Sequence, residues 1–130
     1  MLVDYMRDNP RSRIVTLATP VDYQQAISAN VVKVVLDHAR RALYFSRLPI
    51  PHNSIRYLKH IGVYAYRMAT LSLLCALPPA TIEKAERLEQ LRALDHGIGI
   101  DVCITTHDTI SVDTPEDLAR VQAHLNKCKT

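Results

Sequence analysis

At 130 residues the chain has the length of one domain, or of part of a larger one. Its 48% hydrophobic and 22% charged content is a globular mixture and excludes a disordered or fibrous chain. Lys+Arg 16 against Asp+Glu 13 leaves a net charge of +3, too balanced to argue for nucleic acid. The longest apolar run, residues 71–77, is interrupted by Ser72 and falls far short of the ~18 residues of a membrane span. Residues 1–10 carry Asp4 and Asp8 and lack an apolar core, so they do not read as a signal peptide. The expectation is a soluble, cytoplasmic chain mixing helices and strands.

In chain order, residues 13–21 (RIVTLATPV) are rich in β-branched side chains and read as a strand. Residues 22–28 have room for one or two helical turns. A near-continuous Val/Leu run at 30–37 (NVVKVVLD) predicts a strand covered on both faces. Residues 41–46 (RALYFS) predict its partner, with 38–40 as the tight connection of a β-hairpin. Pro49 and Pro51 then exclude regular structure, and a polar loop follows at 52–56. Alternation returns at 58–67 (LKHIGVYAYR), a strand with His60, Gly62, Tyr64 and Tyr66 on one side. Residues 68–77 predict a short buried helix, stopped by Pro78-Pro79. Residues 81–96 predict one helix, with Ile82, Ala85, Leu88, Leu91 and Leu94 as its stripe, Thr81 as N-cap and Gly97 as stop. A strand at 100–105 and a helix at 113–127 complete the series.

The three cysteines, Cys75, Cys103 and Cys128, form no CxxC pair, and the six histidines are scattered. A Cys/His metal site is therefore not expected, and Cys75 and Cys103 read as buried, reduced thiols. The chain has three glycines, Gly62, Gly97 and Gly99, and no Gly-rich phosphate loop.

Five of the seven aromatic residues fall between Tyr44 and Tyr66, which suits a packed centre or a dimer face. On an ideal strand His60 and Tyr64 share one face with Cα atoms roughly 13 Å apart. The small Gly62 between them leaves a concave space that a polar ligand could enter. Glu89 and Gln90 interrupt the 81–96 helix and read either as a solvated pair or as ligand contacts. In Thr114-Pro115-Glu116-Asp117 the proline suits N1 and Thr114 with Asp117 forms a capping box. Asp113 lies one residue earlier, at a strand end outside the cap, where open α/β sheets place ligands. Its carboxylate suits a hard cation such as Mg2+.

Taken in order, NVVKVVLD, RALYFSRLPIP, KHIGVYAYR, IEKAERLEQLRAL and VDTPEDLARV resemble the 3-deoxy-manno-octulosonate (Kdo) cytidylyltransferase family, from about Thr16 to Val121. VDTPEDL is shared with related sugar nucleotidyltransferases; the ALYFSRxPIP and KHIGxYAYR blocks are more specific. The resemblance implies an α/β fold with a mixed, mostly parallel sheet, flanking helices and an aromatic hairpin used for homodimerisation. It implies CMP transfer from CTP to Kdo, with release of pyrophosphate, for lipopolysaccharide synthesis. It further implies that His60, Tyr64, Glu89 and Gln90 contact Kdo, and that Asp113 is one of two carboxylates on Mg2+.

Two departures qualify the transfer. A family arginine used on the sugar carboxylate falls here on Ser54, leaving Arg47 and Arg56 as candidate replacements. The family's N-terminal half, with its triphosphate loop, cytosine-reading residues and second metal aspartate, has no counterpart in this sequence. The expectation is one incomplete domain over residues 1–130, the sugar and dimer side of the enzyme, inactive alone and either marginally folded or oligomeric. Its alternatives are a non-catalytic assembly module, half of a split enzyme that docks a separate N-terminal half, and a truncated relic.

Overall fold

The computed structural model describes residues 1–128. Helix α1 (Leu2–Asp8) lays Leu2 and Met6, four residues apart and so on one helix face, against Val15. Strand β1 (Ile14–Val21) is buried at nearly every position, because both of its faces are covered. Val15 meets α1, while Ile14 and Ala18 turn into the main core. The short helix α2 (Tyr23–Ala26) begins at Asp22, whose carboxylate accepts the Gln25 N–H at 2.9 Å.

Strands β2 (Lys33–Leu36) and β3 (Ala42–Ser46) form the expected hairpin. Its turn is closed by Asp37, which accepts the N–H groups of Ala39 at 2.8 Å and Arg41 at 2.9 Å while Arg40 takes φ 61. The Arg41 amide, foremost among these donors, holds the Asp37 carboxyl below its usual range. Then come β4 (Tyr57–Tyr66), α3 (Met68–Ala76), α4 (Thr81–Glu86), α5 (Leu91–Asp95), β5 (Asp101–Ile104) and α6 (Pro115–Cys128).

The strands make one mixed sheet in the order β3-β2-β4-β1-β5. The α/β class and mixed sheet agree with expectation, but the mostly parallel character does not hold among the described residues. Only β1 and β5 run parallel; β1–β4, β2–β4 and β2–β3 are antiparallel. The reason is connectivity, since β2 returns into β3 by a tight turn and a helical crossover is needed only before β5. The main core lies under α5, where Ile14, Phe45, Leu91 and Ile100 are each at most 1% exposed.

The single helix expected over 81–96 is broken. Arg87 takes a left-handed conformation (φ 57, ψ 47), and α5 starts afresh after Gln90. The stripe explains the break. A repeat of three drifts by roughly 60° per step around a 3.6-residue helix, so a straight helix would carry Leu88 and Leu91 off the core face. Unwinding at 87–90 keeps both buried. The N-cap is Ala80 rather than Thr81, with the Ala80 N–H donating to Glu83 at 2.9 Å. Gly97, at φ 71, ends the segment as expected.

Helix α3 forms where expected but is not buried: Thr70 is its one buried residue, and Met68, Leu71 and Leu73 are exposed. A helix apolar all round leaves apolar surface on whichever side does not dock. Cys75 is exposed for the same reason; Cys103, on β5, is half-buried, so neither is the fully buried thiol expected. No described helix is long and apolar enough to cross a membrane.

Candidate functional site

The site begins with an irregularity in β4. The β1–β4 register runs Leu17↔Ile61 and then Thr16↔Tyr64, so Gly62 and Val63 have no opposite residue. This bulge bends the strand and gathers the side chains on either side of it. The His60 and Tyr64 ring centroids lie only 5.3 Å apart. His60 also meets Phe45 edge-on at 5.0 Å, and Tyr64 stacks on Tyr66 at 5.6 Å. Beside Gly62 a Cβ would meet nothing within 4 Å, so the glycine borders open space.

That space is a cavity of about 320 Å³ bordered by Arg47, Lys59, His60, Gly62 and Asp113. A second cavity, of about 310 Å³, is bordered by Tyr64, Tyr66, Arg87, Glu89, Gln90 and Arg92. The residues expected to act together are thus divided. His60 and Asp113 border one cavity, Tyr64, Glu89 and Gln90 the other, and the His60–Tyr64 contact joins them. Glu89 and Gln90 owe their position to the break at Arg87, since Gln90 is the N-cap of α5. The 81–96 periodicity concealed that role.

Burial governs the ionisation of the aromatic column. It pushes the His60 imidazole down to about 4, leaving the ring neutral near pH 7. It pushes the Tyr64 phenol up, with Tyr66 and Glu89 adding smaller contributions in the same sense. Tyr66 is raised likewise, by burial first and then by Glu89. Both phenols therefore stay protonated and can donate.

Asp113 is exposed, on the segment between β5 and α6 rather than at a strand end, because β5 stops at Ile104. Nor does it stand wholly outside the cap. Its N–H donates to Asp117 at 3.3 Å beside that of Thr114 at 3.1 Å, while the Asp117 N–H donates to the Thr114 hydroxyl at 3.2 Å. The capping box expected from Thr114 and Asp117 is formed, and the Thr114 hydroxyl leads the contacts that hold the Asp117 carboxyl below its usual range.

Asp113 also borders a polar cavity of about 340 Å³ with Lys59 and Asp108, which are paired at 2.8 Å. Among the described residues no cluster of three or more His, Cys, Asp and Glu side chains is poised for a metal. Of the carboxylates on that cavity's border, Asp108 is held by Lys59 and Asp117 by the helix cap and Arg120.

The two arginines considered beside Ser54 differ. Arg47 spends its guanidinium on the carbonyls of Glu86 at 3.1 Å, Ala29 at 3.0 Å and Arg87 at 3.4 Å. Arg56 is exposed in the β3–β4 loop, where the Ser54 hydroxyl donates to its carbonyl.

Two residues of the site's frame escaped the sequence reading. Thr16, fully buried in β1, lies 3.0 Å from His60 Nε2. Lys33, fully buried in β2, donates to the carbonyls of Ser28, Val31 and Arg47 and is lowered to about 8, chiefly by burial. A lysine inside a Val run covered on both faces was the available signal, since lysine is buried only with partners.

The family model for cytidylyltransferases matches residues 1–104. The chain belongs to the cytidylyltransferase family. This cytidylyltransferase chain is 46% identical over 129 residues to the 3-deoxy-manno-octulosonate cytidylyltransferase of Koribacter versatilis, covering 95% of the chain and 49% of that relative. It is 47% identical over 127 residues to that of Syntrophobacter fumaroxidans, covering 92% of the chain and 51% of the relative. Its fold matches a solved CMP:2-keto-3-deoxy-manno-octonic acid synthetase in complex with CTP, at TM-score 0.91 and 40% identity. That match covers 97% of this chain and 54% of that one. The chain thus spans about half the length of the curated relatives it matches.

Proposed function

We propose that the chain forms the sugar-acid side of a CMP-Kdo synthetase, which transfers CMP from CTP to Kdo and releases pyrophosphate. The observation that carries this reading is the 0.91 TM-score match, at 40% identity, to a synthetase solved with CTP. The paired cavities suit a polar ligand of sugar size, which His60 and Tyr64 would meet from the shared wall. Tyr64, held as the phenol, donates a hydrogen bond; Glu89 accepts from sugar hydroxyls; Gln90 can do either. Asp113 supplies one carboxylate to Mg2+, which when bound neutralises charge on the triphosphate. Holding a sugar hydroxyl in line with the α-phosphorus is then a positioning task for the cavity walls.

The remaining expectations are part of this proposal. Residues 1–130 act as one incomplete domain, the enzyme works as a cytoplasmic homodimer through the β2–β3 hairpin, and the product feeds lipopolysaccharide synthesis. A second reading, docking onto a separate N-terminal half, draws on the exposed apolar side chains of α3.

The test is calorimetric titration of the folded chain with Kdo, alongside pyrophosphate release with CTP, Kdo and Mg2+. Expected are Kdo binding, its weakening at least tenfold in Tyr64→Phe, and no pyrophosphate release by the chain alone. Pyrophosphate release after addition of a relative's N-terminal half would favour the docking reading. A folded chain that binds no Kdo would sink the sugar-side assignment.

A further inference from the structure

Thr16 is an unusual residue for the middle of a packed sheet, since its fully buried hydroxyl has three polar neighbours. It lies 2.8 Å from the Val63 carbonyl, 3.2 Å from the Ile61 carbonyl and 3.0 Å from His60 Nε2. The Ile61 carbonyl precedes the β4 bulge and the Val63 carbonyl belongs to it, where the regular ladder with β1 is interrupted.

A hydroxyl carries one proton and two acceptor lone pairs. If that proton went to His60, the oxygen's lone pairs would face the Val63 carbonyl oxygen at 2.8 Å with no hydrogen between them. Two buried acceptors in such contact repel, and the carbonyl would also lose its partner. The proton therefore goes to the Val63 carbonyl, and the threonine oxygen accepts from His60. That requires a proton on Nε2. A ring that also stays neutral then carries its lone pair on Nδ1.

Nδ1 has no partner among the described residues, and no buried side-chain nitrogen or oxygen there is left unpaired. Nδ1 is consequently reached by solvent, and the open space His60 borders is the cavity beside Gly62. A carboxylate brings no hydrogen to an imidazole lone pair, whereas a hydroxyl does, so a hydroxyl is the ligand group that Nδ1 accepts from.

We infer that Thr16 is a positioning residue that fixes His60 as the Nε2–H tautomer, so that Nδ1 accepts a hydrogen bond from a hydroxyl of the bound sugar acid and rejects its carboxylate. The ligand part of this inference rests on the sugar-side reading above; the tautomer does not.

The experiment is long-range 1H–15N correlation spectroscopy of the 15N-labelled chain at pH 7, with His60 assigned by its disappearance in His60→Gln. The expected result is a protonated, pyrrole-type Nε2 and an unprotonated, pyridine-type Nδ1. Thr16→Ser keeps this pattern, because the hydroxyl is retained. In Thr16→Val the nitrogen shifts move toward the average of the two tautomers, as in free imidazole. Kdo, the probe, then moves the Nδ1 signal upfield, as accepting a hydrogen bond does, and leaves Nε2 in place.

A proton on Nδ1 in the unaltered chain overturns the inference without need of any variant. So does Kdo binding, seen by calorimetry, that leaves Nδ1 unmoved or protonates it. The expected tautomer in a chain that binds no Kdo supports the Thr16 pairing and overturns the sugar-side reading instead.

Discussion

The sheet under α5 and the helices α3 and α6 obey opposite rules. Beneath α5, Phe45 and Ile100 are wholly buried, and even two polar groups of the sheet, Thr16 and Lys33, are enclosed with their partners. In α6 no residue is buried, and in α3 only Thr70 is, although α3 is the more apolar helix. The comparison teaches that hydrophobicity alone does not produce burial; a complementary surface must be present. The sheet supplies one for alternating strand residues, whereas α3 and α6 have only one side to offer it. The candidate cavities lie at the boundary between the two regimes, bordered by packed residues such as His60 and exposed ones such as Glu89.

Mutation can break that comparison. Phe45→Ala removes a fully buried ring from the main core and is expected to cost about 3–5 kcal/mol in chemical denaturation. A loss below about 1 kcal/mol would mean that the sheet side is no better packed than α3.

The pH dependence sharpens the contrast within the site. His60 is lowered from 6.5 to about 4 by burial, so on acidification the unfolded chain takes up its proton first. The stabilisation is present above about 6.5 and is lost as the pH falls through about 4, amounting to roughly 3 kcal/mol. Asp37, Glu83 and Asp117 are depressed as well, but their losses come lower, beneath the ordinary carboxylate values of 3.8 and 4.5. Urea midpoints measured between pH 7 and 5 should fall for the unaltered chain and stay nearly flat for His60→Gln. Parallel curves for the two would remove His60 from the buried regime.

A smaller effect is expected at Glu83. Its carboxylate receives Arg92 at 2.6 Å and 2.9 Å and the Ala80 N–H at 2.9 Å, tying the start of α4 to α5. Glu83→Gln keeps the shape and removes the charge, with an expected cost of about 2 kcal/mol by thermal unfolding. At the other extreme, Leu125→Ala on exposed α6 should change stability by no more than about 0.5 kcal/mol. A larger loss there would reveal a covering surface, and its dependence on protein concentration would identify that surface as a second copy.

Much of the local structure was legible in the sequence. The β-branched run at 13–21, the hairpin with its tight connection at 38–40, the alternation in β4 and the Thr114–Asp117 cap all carry short-range signals whose causes lie within a few residues. The break at Arg87 was not legible, because helix propensity continues through 81–96 and only the demand that Leu88 and Leu91 share one core opposes it. Asp113 was singled out as a lone carboxylate before a cap, but its distance from the strand end depended on where β5 stops. His60 and Tyr64 could be placed on one strand face, but not in ring contact, since a bulge is a property of two paired strands.

The sequence by itself determined the element types, the family resemblance and the residue chemistry available to a ligand. Tertiary structure alone decided which residues face one another: the antiparallel company of β1, the division of the site between two cavities, and the hydroxyl of Thr16 against His60. Those depend on register between segments more than forty residues apart. A one-residue slip would turn every side chain of a strand to the other face, and the packing of the whole sheet, rather than any local pattern, selects the register.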